Sequence, residues 1–201
     1  MAEDKSTIDQ LEDRIKKLEE ENRKWMRLAG INRLTDLPNS LMLYQVVLPR
    51  ELRKEVQEPI LLACVLICPD GLGEINQQHG RIVGDQLIKQ IGLFFKQQME
   101  PEEQLFHCDG ANFVILVSGG SEGRARRRAT TIKGQFKKET LSAGDKKFTG
   151  LTCSAGTSEI AGGIEKADVL GVVEKFYQEL CNRLYEAKEH GGDSVVGSPK
   201  I

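Results

Sequence analysis

The residues best placed to do chemistry gather at one polar corner. Leu105-Phe106-His107-Cys108 and Asn112-Phe113-Val114-Ile115-Leu116-Val117 are two apolar runs joined at Asp109-Gly110. An Asp-Gly pair between β-rich runs is a strong hairpin signal. A corner that handles metal and phosphate needs carboxylates, since hard cations take oxygen ligands and a general base must be ionised at neutral pH. After Gly110 come Ala111 and Asn112, which carry no charge. A second polar stretch, Cys68-Pro69-Asp70-Gly71-Leu72-Gly73, follows an apolar run and supplies Asp70. Cys68, His107, Cys108 and Asp109 are types that bind zinc, but their spacing follows no finger pattern and no metal is assigned. Cys64 and Cys68, four apart on a strand, share a face and read as core thiols.

The elements that must position these residues follow from periodicity. Residues 60–67 form a continuous, β-branched apolar run, the pattern of a buried strand. Residues 74–96 read as helix interrupted near Gly80, with Ile82, Val83, Leu87, Ile88 and Ile91 marking the second part. Before the first strand, Asn39 or Ser40 is a candidate cap for a helix that carries Leu41, Leu43, Val47, Leu52 and Val56 inward. Pro49 should kink or split that helix, and Glu58-Pro59 should end it. Ser121 caps another helix with Ala125, Ala129, Ile132 and Phe136 on one face. Its run Arg124-Ala125-Arg126-Arg127-Arg128 reads as the solvated side. Residues 144–147 read as a loop, 148–160 as a strand, 166–190 as the last helix and 194–196 as a short strand. The hairpin in mid-sheet argues for a βαββαβ core with a mixed sheet, an α/β (α+β) fold preceded by a long N-terminal helix.

That N-terminal helix is built for a partner. Ile8, Leu11, Ile15, Leu18, Asn22, Trp25 and Ala29 alternate at spacings of three and four. Ile at a with Leu at d favours two parallel strands, and Asn22 at an a position fixes their register. Arg14 at g then faces Glu19 at the following e. The charged residues around this seam leave only a narrow apolar stripe, which suits a coiled coil better than a core face. Two domains are expected: a dimerising helix over 1–32 and a folded domain over 33–201.

With 201 residues, 39% apolar and 29% charged, the chain is long enough to bury a full core. A net charge of -2 implies no general attraction to nucleic acid. No apolar run is long enough for a bilayer and no secretory signal is visible, so a cytoplasmic protein without membrane insertion is expected. Five cysteines without a CxxC pair fit reduced thiols in that compartment. No G-K-[ST] follows any glycine pair, so no P-loop is present.

Four ordered stretches resemble the GGDEF domain, the nucleotidyl transferase module of bacteria that forms cyclic-di-GMP. Asn32-Arg33-Leu34-Thr35-Asp36-Leu37-Pro38-Asn39 resembles the family's opening D-x-L-T-G-L-P-N. Ile75-Asn76 through Gly80 to Gly84-Asp85 resembles its I-N-D-x-x-G-H-x-x-G-D helix pair. Asp109-Gly110-Ala111-Asn112-Phe113 stands where the naming motif belongs. Leu184-Tyr185-Glu186-Ala187-Lys188 and Gly191 resemble the closing L-Y-x-A-K-x-x-G. The resemblance implies an adenylyl-cyclase-like palm and catalysis across two facing domains.

Departures from the family then shape the functional expectation. Its first metal-binding Asp corresponds to Cys68, its second is kept as Asp70, and its acidic pair becomes Ala111 and Asn112. Its first motif glycine becomes Asp109, whose charge would repel phosphate. Lys188 matches a phosphate-contacting Lys, while the following Arg position is Gly192. The R-x-x-D of the product-inhibition site is replaced by Glu100-Pro101-Glu102-Glu103, which cannot clamp phosphate. Asn76 and Asp85 match the guanine-contacting pair, but could equally satisfy loop backbone and cap the helix after Gly84. The expectation is a protein that is not an enzyme and needs no cofactor. It would act as a homodimeric regulatory or scaffolding component with a protein partner in a signalling complex. The alternative is a sensor that binds GTP through Asn76 and Asp85 without turning it over.

Overall fold

The computed structural model describes residues 2–53, 60–162 and 169–198. The expected positions Val56, Glu58, Pro59 and Lys166 lie outside the described residues. Strand β1 (Ile60–Pro69) is the centre of a five-stranded sheet. It pairs antiparallel with β3 (Phe113–Ser118) on one side and with β6 (Cys153–Gly162) on the other. β2 (Glu103–His107) adds antiparallel to β3, and β7 (Val195–Val196) adds parallel to β6. The order β2-β3-β1-β6-β7 is a mixed sheet as expected, but the β2–β3 hairpin lies at its edge and not in mid-sheet.

Both faces of β1 are covered, and its alternation separates two cores. Ala63, Val65 and Ile67 pack with Leu87, Ile91 and Phe95 of α4 (Arg81–Gln97) and with Ala125, Ala129, Ile132 and Phe136 of α5 (Glu122–Phe136). Leu62, Cys64, Leu66 and Cys68 pack on the other face with Phe176, Leu180 and Leu184 of α6 (Val169–Glu189). Cys64 and Cys68 thus share a face as their spacing predicted. Close packing of α6 on β6 depends on Gly156, where a Cβ would stand 2.5 Å from the Leu180 carbonyl and 2.6 Å from the Leu184 amide.

Local signals place most boundaries. The Asn39 side chain accepts from the Met42 amide at 3.2 Å, opening a π-helical turn (Met42–Val47) that runs into the short helix α2 (Leu48–Arg53) with Pro49 in its first turn. The chain breaks at Gly80 between α3 (Leu72–His79) and α4. Ser121 accepts from the Arg124 amide at the start of α5. One expectation is corrected: of the expected loop 144–147 only Gly144-Asp145 is a turn, and 148–160 is not one strand. Instead β4 (Thr140–Ala143) and β5 (Lys146–Thr149) form a small separate hairpin before β6 begins. Alternation with Leu141 and Ala143 inward is present there, but four residues carry little periodic signal. The N-terminal helix α1 (Ala2–Ala29) is a single uninterrupted element, and Ile8, Leu11, Ile15, Leu18 and Trp25 are 48–68% exposed on it. Among the described residues no helix is long and apolar enough to cross a membrane.

The basic run on α5 also differs from a merely solvated face. Arg128 Nε pairs with Glu103 Oε1 at 2.6 Å, and the Glu103 side chain is fully buried. Arg124 holds Glu100 at 3.1 Å and Glu102 at 2.8 Å. The substituted Glu100-Pro101-Glu102-Glu103 stretch is therefore a clasp between β2 and α5. Burial pushes the Glu103 carboxyl up, but Arg128 and the Glu100 amide outweigh it and hold the group below its ordinary value. The folded protein binds that proton less tightly than the unfolded chain does, so the contribution is present above the carboxylate range and is lost as pH falls. Arg128→Met should cost about 3–5 kcal/mol at neutral pH in urea unfolding, by leaving Glu103 buried and unpaired. The deficit should shrink as pH falls into the carboxylate range, because Glu103, without Arg128, takes up its proton at a higher pH than in the native protein; a deficit that is small or independent of pH would refute the clasp.

Candidate functional site

The sequence-predicted site residues separate into two groups. Asn76 on α3 and Asp85 on α4 line one cavity of about 500 Å³, with Leu72, Arg81, Ile88, His107, Gly110 and Ala111 in its wall. This is a size typical of small-molecule sites. Cys68, Asp70 and Lys188 lie outside it, around the end of β1. Asn112 and Asp109 close the β2–β3 turn through an Asn112 amide to Asp109 carbonyl bond of 3.0 Å, and Gly110 has φ 62°. Phe113 belongs to the core, stacked on His107 at 4.4 Å and edge-on to Phe95.

Geometry answers the two readings of Asn76 and Asp85. Helix α4 starts at Arg81, so Asp85 lies within the helix and is not its cap. Among the described residues no hydrogen bond engages the side chain of either Asn76 or Asp85. The two helices meet so closely that a Cβ at Gly84 would stand 1.7 Å from Asn76 Oδ1. A glycine before Asp85 is thus what lets the amide lie beside the carboxylate. Arg81, in the first turn of α4, is a cavity residue that the sequence did not single out; only its place directly after Gly80 pointed to it.

His107 ties the cavity wall together. Its Nε2 faces the Gly110 carbonyl at 2.9 Å, so that nitrogen donates, and Nδ1 stands 2.9 Å from Thr35 Oγ1. The His107 amide also donates to the Pro38 carbonyl at 2.8 Å. Burial pushes the imidazole below its ordinary value, partly offset by Gly110 and Asp109. A neutral ring donating at Nε2 and accepting at Nδ1 matches both neighbours. The loop 32–38 and the β2–β3 turn are fastened through this one side chain. His107 and Cys108 point to opposite faces, Cys108 joining the core under α6, so the four zinc-type residues do not converge.

At the end of β1, Asp70 is engaged on several sides. It accepts from Thr152 Oγ1 and Ser154 Oγ, each at 2.8 Å, and from the Asp193 amide at 3.0 Å. Lys188 Nζ lies 2.9 Å from Cys68 Sγ. Burial raises the Cys68 thiol's pKa, partly offset by Lys188. Asp193 is itself held by Lys133 and Lys137, both at 2.6 Å. Among the described residues no group of three or more His, Cys, Asp and Glu gathers to hold a metal ion.

With this geometry the comparisons agree. The profile of the family described as "Diguanylate cyclase, GGDEF domain" matches residues 29–194. The chain belongs to the GGDEF family. It is 25% identical over 167 residues to diguanylate cyclase DosC of Escherichia coli (strain K12), covering 83% of this chain but 35% of that protein. The chain therefore spans about a third of that relative's length. The coiled coil and GGDEF domain of DgcB from Caulobacter crescentus, solved with c-di-GMP, superposes with a TM-score of 0.70 at 19% identity, covering 96% of this chain and 98% of that one. Diguanylate cyclase SiaD of Pseudomonas aeruginosa, solved with its activator SiaC, gives 0.68 at 19% identity, covering 96% and 71%.

These findings correct the expectation that the chain is not an enzyme. The matched family and the DosC relative indicate a diguanylate cyclase-type GGDEF domain. The expectation rested on counting carboxylates at positions 68, 111 and 112. Hard cations also take carbonyl and water oxygens, so that count alone does not establish lost activity.

The Gly84 contact yields a test of the cavity. Gly84→Ala should leave thermal stability nearly unchanged, since alanine favours the helix by about 1 kcal/mol while Asn76 is displaced. Nuclear magnetic resonance of the Asn76 side-chain amide should nevertheless shift strongly; an unmoved amide would show that the close approach does not exist.

Proposed function

We propose that this GGDEF domain binds a guanine nucleotide, GTP, in the cavity between α3 and α4, and that it does so as a dimeric regulatory component of bacterial cyclic-di-GMP-related signalling. The observation that carries this reading is the pairing of Asn76 and Asp85 in one cavity with no internal partner among the described residues. A carboxylate accepts from the N1–H and N2–H groups of guanine, and an amide donates to or accepts from the remaining edge. Adenine presents no such donor pair, so the Asp85 carboxylate selects against it. Leu72 and Ile88 supply apolar walls for the base, and Arg81 supplies a cation at the rim.

The dimer is supported by α1. Its exposed seam of Ile8, Leu11, Ile15, Leu18 and Trp25, with Asn22 in register, fits a second copy in parallel. A protein partner is supported by one similarity: SiaD is solved with its activator SiaC. A contact of that kind is the second part of the proposal, with the chain acting through protein–protein contacts.

Calorimetric titration with GTP and Mg²⁺ tests the binding claim. Saturable heat should be lost at least tenfold in affinity in Asn76→Ala and in Asp85→Ala, while ATP should give none; equal binding of GTP and ATP, or unaffected variants, would overturn it. Conversion of GTP followed in the same preparation reports turnover separately. Removing residues 1–30 should give a monomer by light scattering, and a truncated domain that remains dimeric would remove the role given to α1.

A further inference from the structure

We propose that Cys68 and Lys188 form an oxidation-dependent covalent cross-link, a modification site that joins the end of β1 to the last turn of α6. The two side chains come from residues 120 apart in sequence and meet at 2.9 Å, Nζ to Sγ. Cys68 is buried at 7% exposure, the last core residue of β1 under α6, where the stem of Lys188 reaches its sulfur. Lys188 is exposed on the final turn of α6, with a flexible stem that can complete the approach.

No other thiol is placed to intercept Cys68. Cys153, in the neighbouring register of β6, points to the opposite face and belongs to the other core. Cys64 shares the face but lies four residues back along the strand, about 13 Å at the usual rise and beyond the reach of a disulfide. Cys181 lies two turns before Lys188 on α6, about 10 Å away along the helix axis. Cys108 lies just past the end of β2, separated from β1 by β3. The amine of Lys188 is therefore the nucleophile in contact with this sulfur.

The chemistry balances with a peroxide as oxidant. The Cys68 thiol passes its proton to the Lys188 amine and the thiolate attacks one peroxide oxygen; the S–O bond forms, the O–O bond breaks, and the departing hydroxide takes that proton back from the Lys188 ammonium. Sulfenic acid, neutral amine and water result. The amine lone pair then attacks sulfur; the N–S bond forms, the S–O bond breaks, and the leaving hydroxide takes an amine proton as water. The net change is thiol plus amine plus hydrogen peroxide giving a sulfenamide and two waters. Sulfenic acids condense with thiols and with backbone nitrogen in the same manner.

The full chain is treated with hydrogen peroxide, digested and mapped by mass spectrometry. The expected product is a fragment pair containing Cys68 and Lys188, lighter by two hydrogens than the separate fragments and released by excess dithiol. Lys188→Met, checked for folding by circular dichroism, should stop at a Cys68 sulfenic acid that dimedone captures. Cys68 recovered only as sulfinic acid, or in a disulfide, with Lys188 unmodified would overturn the proposal. So would a cross-link on Cys68 that persists in Lys188→Met.

Discussion

Antiparallel pairing of β1 with both β3 and β6 is the constraint on which everything else rests. A strand buried on both faces must satisfy its backbone through two neighbours and its side chains through two layers of helices. Leu62 to Ile67 meet that demand without a polar side chain in the run. Because the strand is locked in register from Ile60↔Gly162 to Pro69↔Cys153, its end is a fixed point. Cys68 and Asp70 are held there, and α3 starts two residues after Asp70. The guanine cavity proposed here and the cross-linking pair both hang from the same strand end.

Three polar tethers join the layers of the fold. His107 links the loop 32–38 to the β2–β3 turn and Asp70 collects Thr152, Ser154 and the Asp193 amide at the end of β1, while the Glu103–Arg128 pair clasps β2 to α5 at the opposite end of the sheet, level with Ala63. None is a generic surface salt bridge. Each joins segments far apart in sequence through a partly or fully buried polar group, where a missing partner costs most. Positions that look like losses relative to the family thus acquire structural partners. Glu103 holds an arginine of α5 and Cys68 holds a lysine of α6.

What the sequence made legible was whatever depends on local period. The continuous apolar run of β1, the break at Gly80, the Asn39 and Ser121 caps and the shared face of Cys64 and Cys68 all follow from rules spanning a few residues. The β4–β5 hairpin did not, because two four-residue strands rich in lysine and threonine give almost no signal above a polar loop. Asp85 was open to misreading as a cap because it follows Gly84, whereas the helix starts four residues earlier at Arg81. The arginine clasp and the Cys68–Lys188 contact were invisible for a different reason: they join side chains about 25 and 120 positions apart. Only the fold brings such pairs together. Family membership was legible in four motif stretches, but motif substitutions proved a poor basis for declaring the chain not an enzyme.

A crystal structure of the full chain grown with GTP tests the central claim most directly. The account predicts guanine seated between Asn76 and Asp85, with the carboxylate on its N1 and N2 donors and the base against Leu72 and Ile88. Nucleotide bound elsewhere, or an empty cavity at saturating GTP, would contradict it.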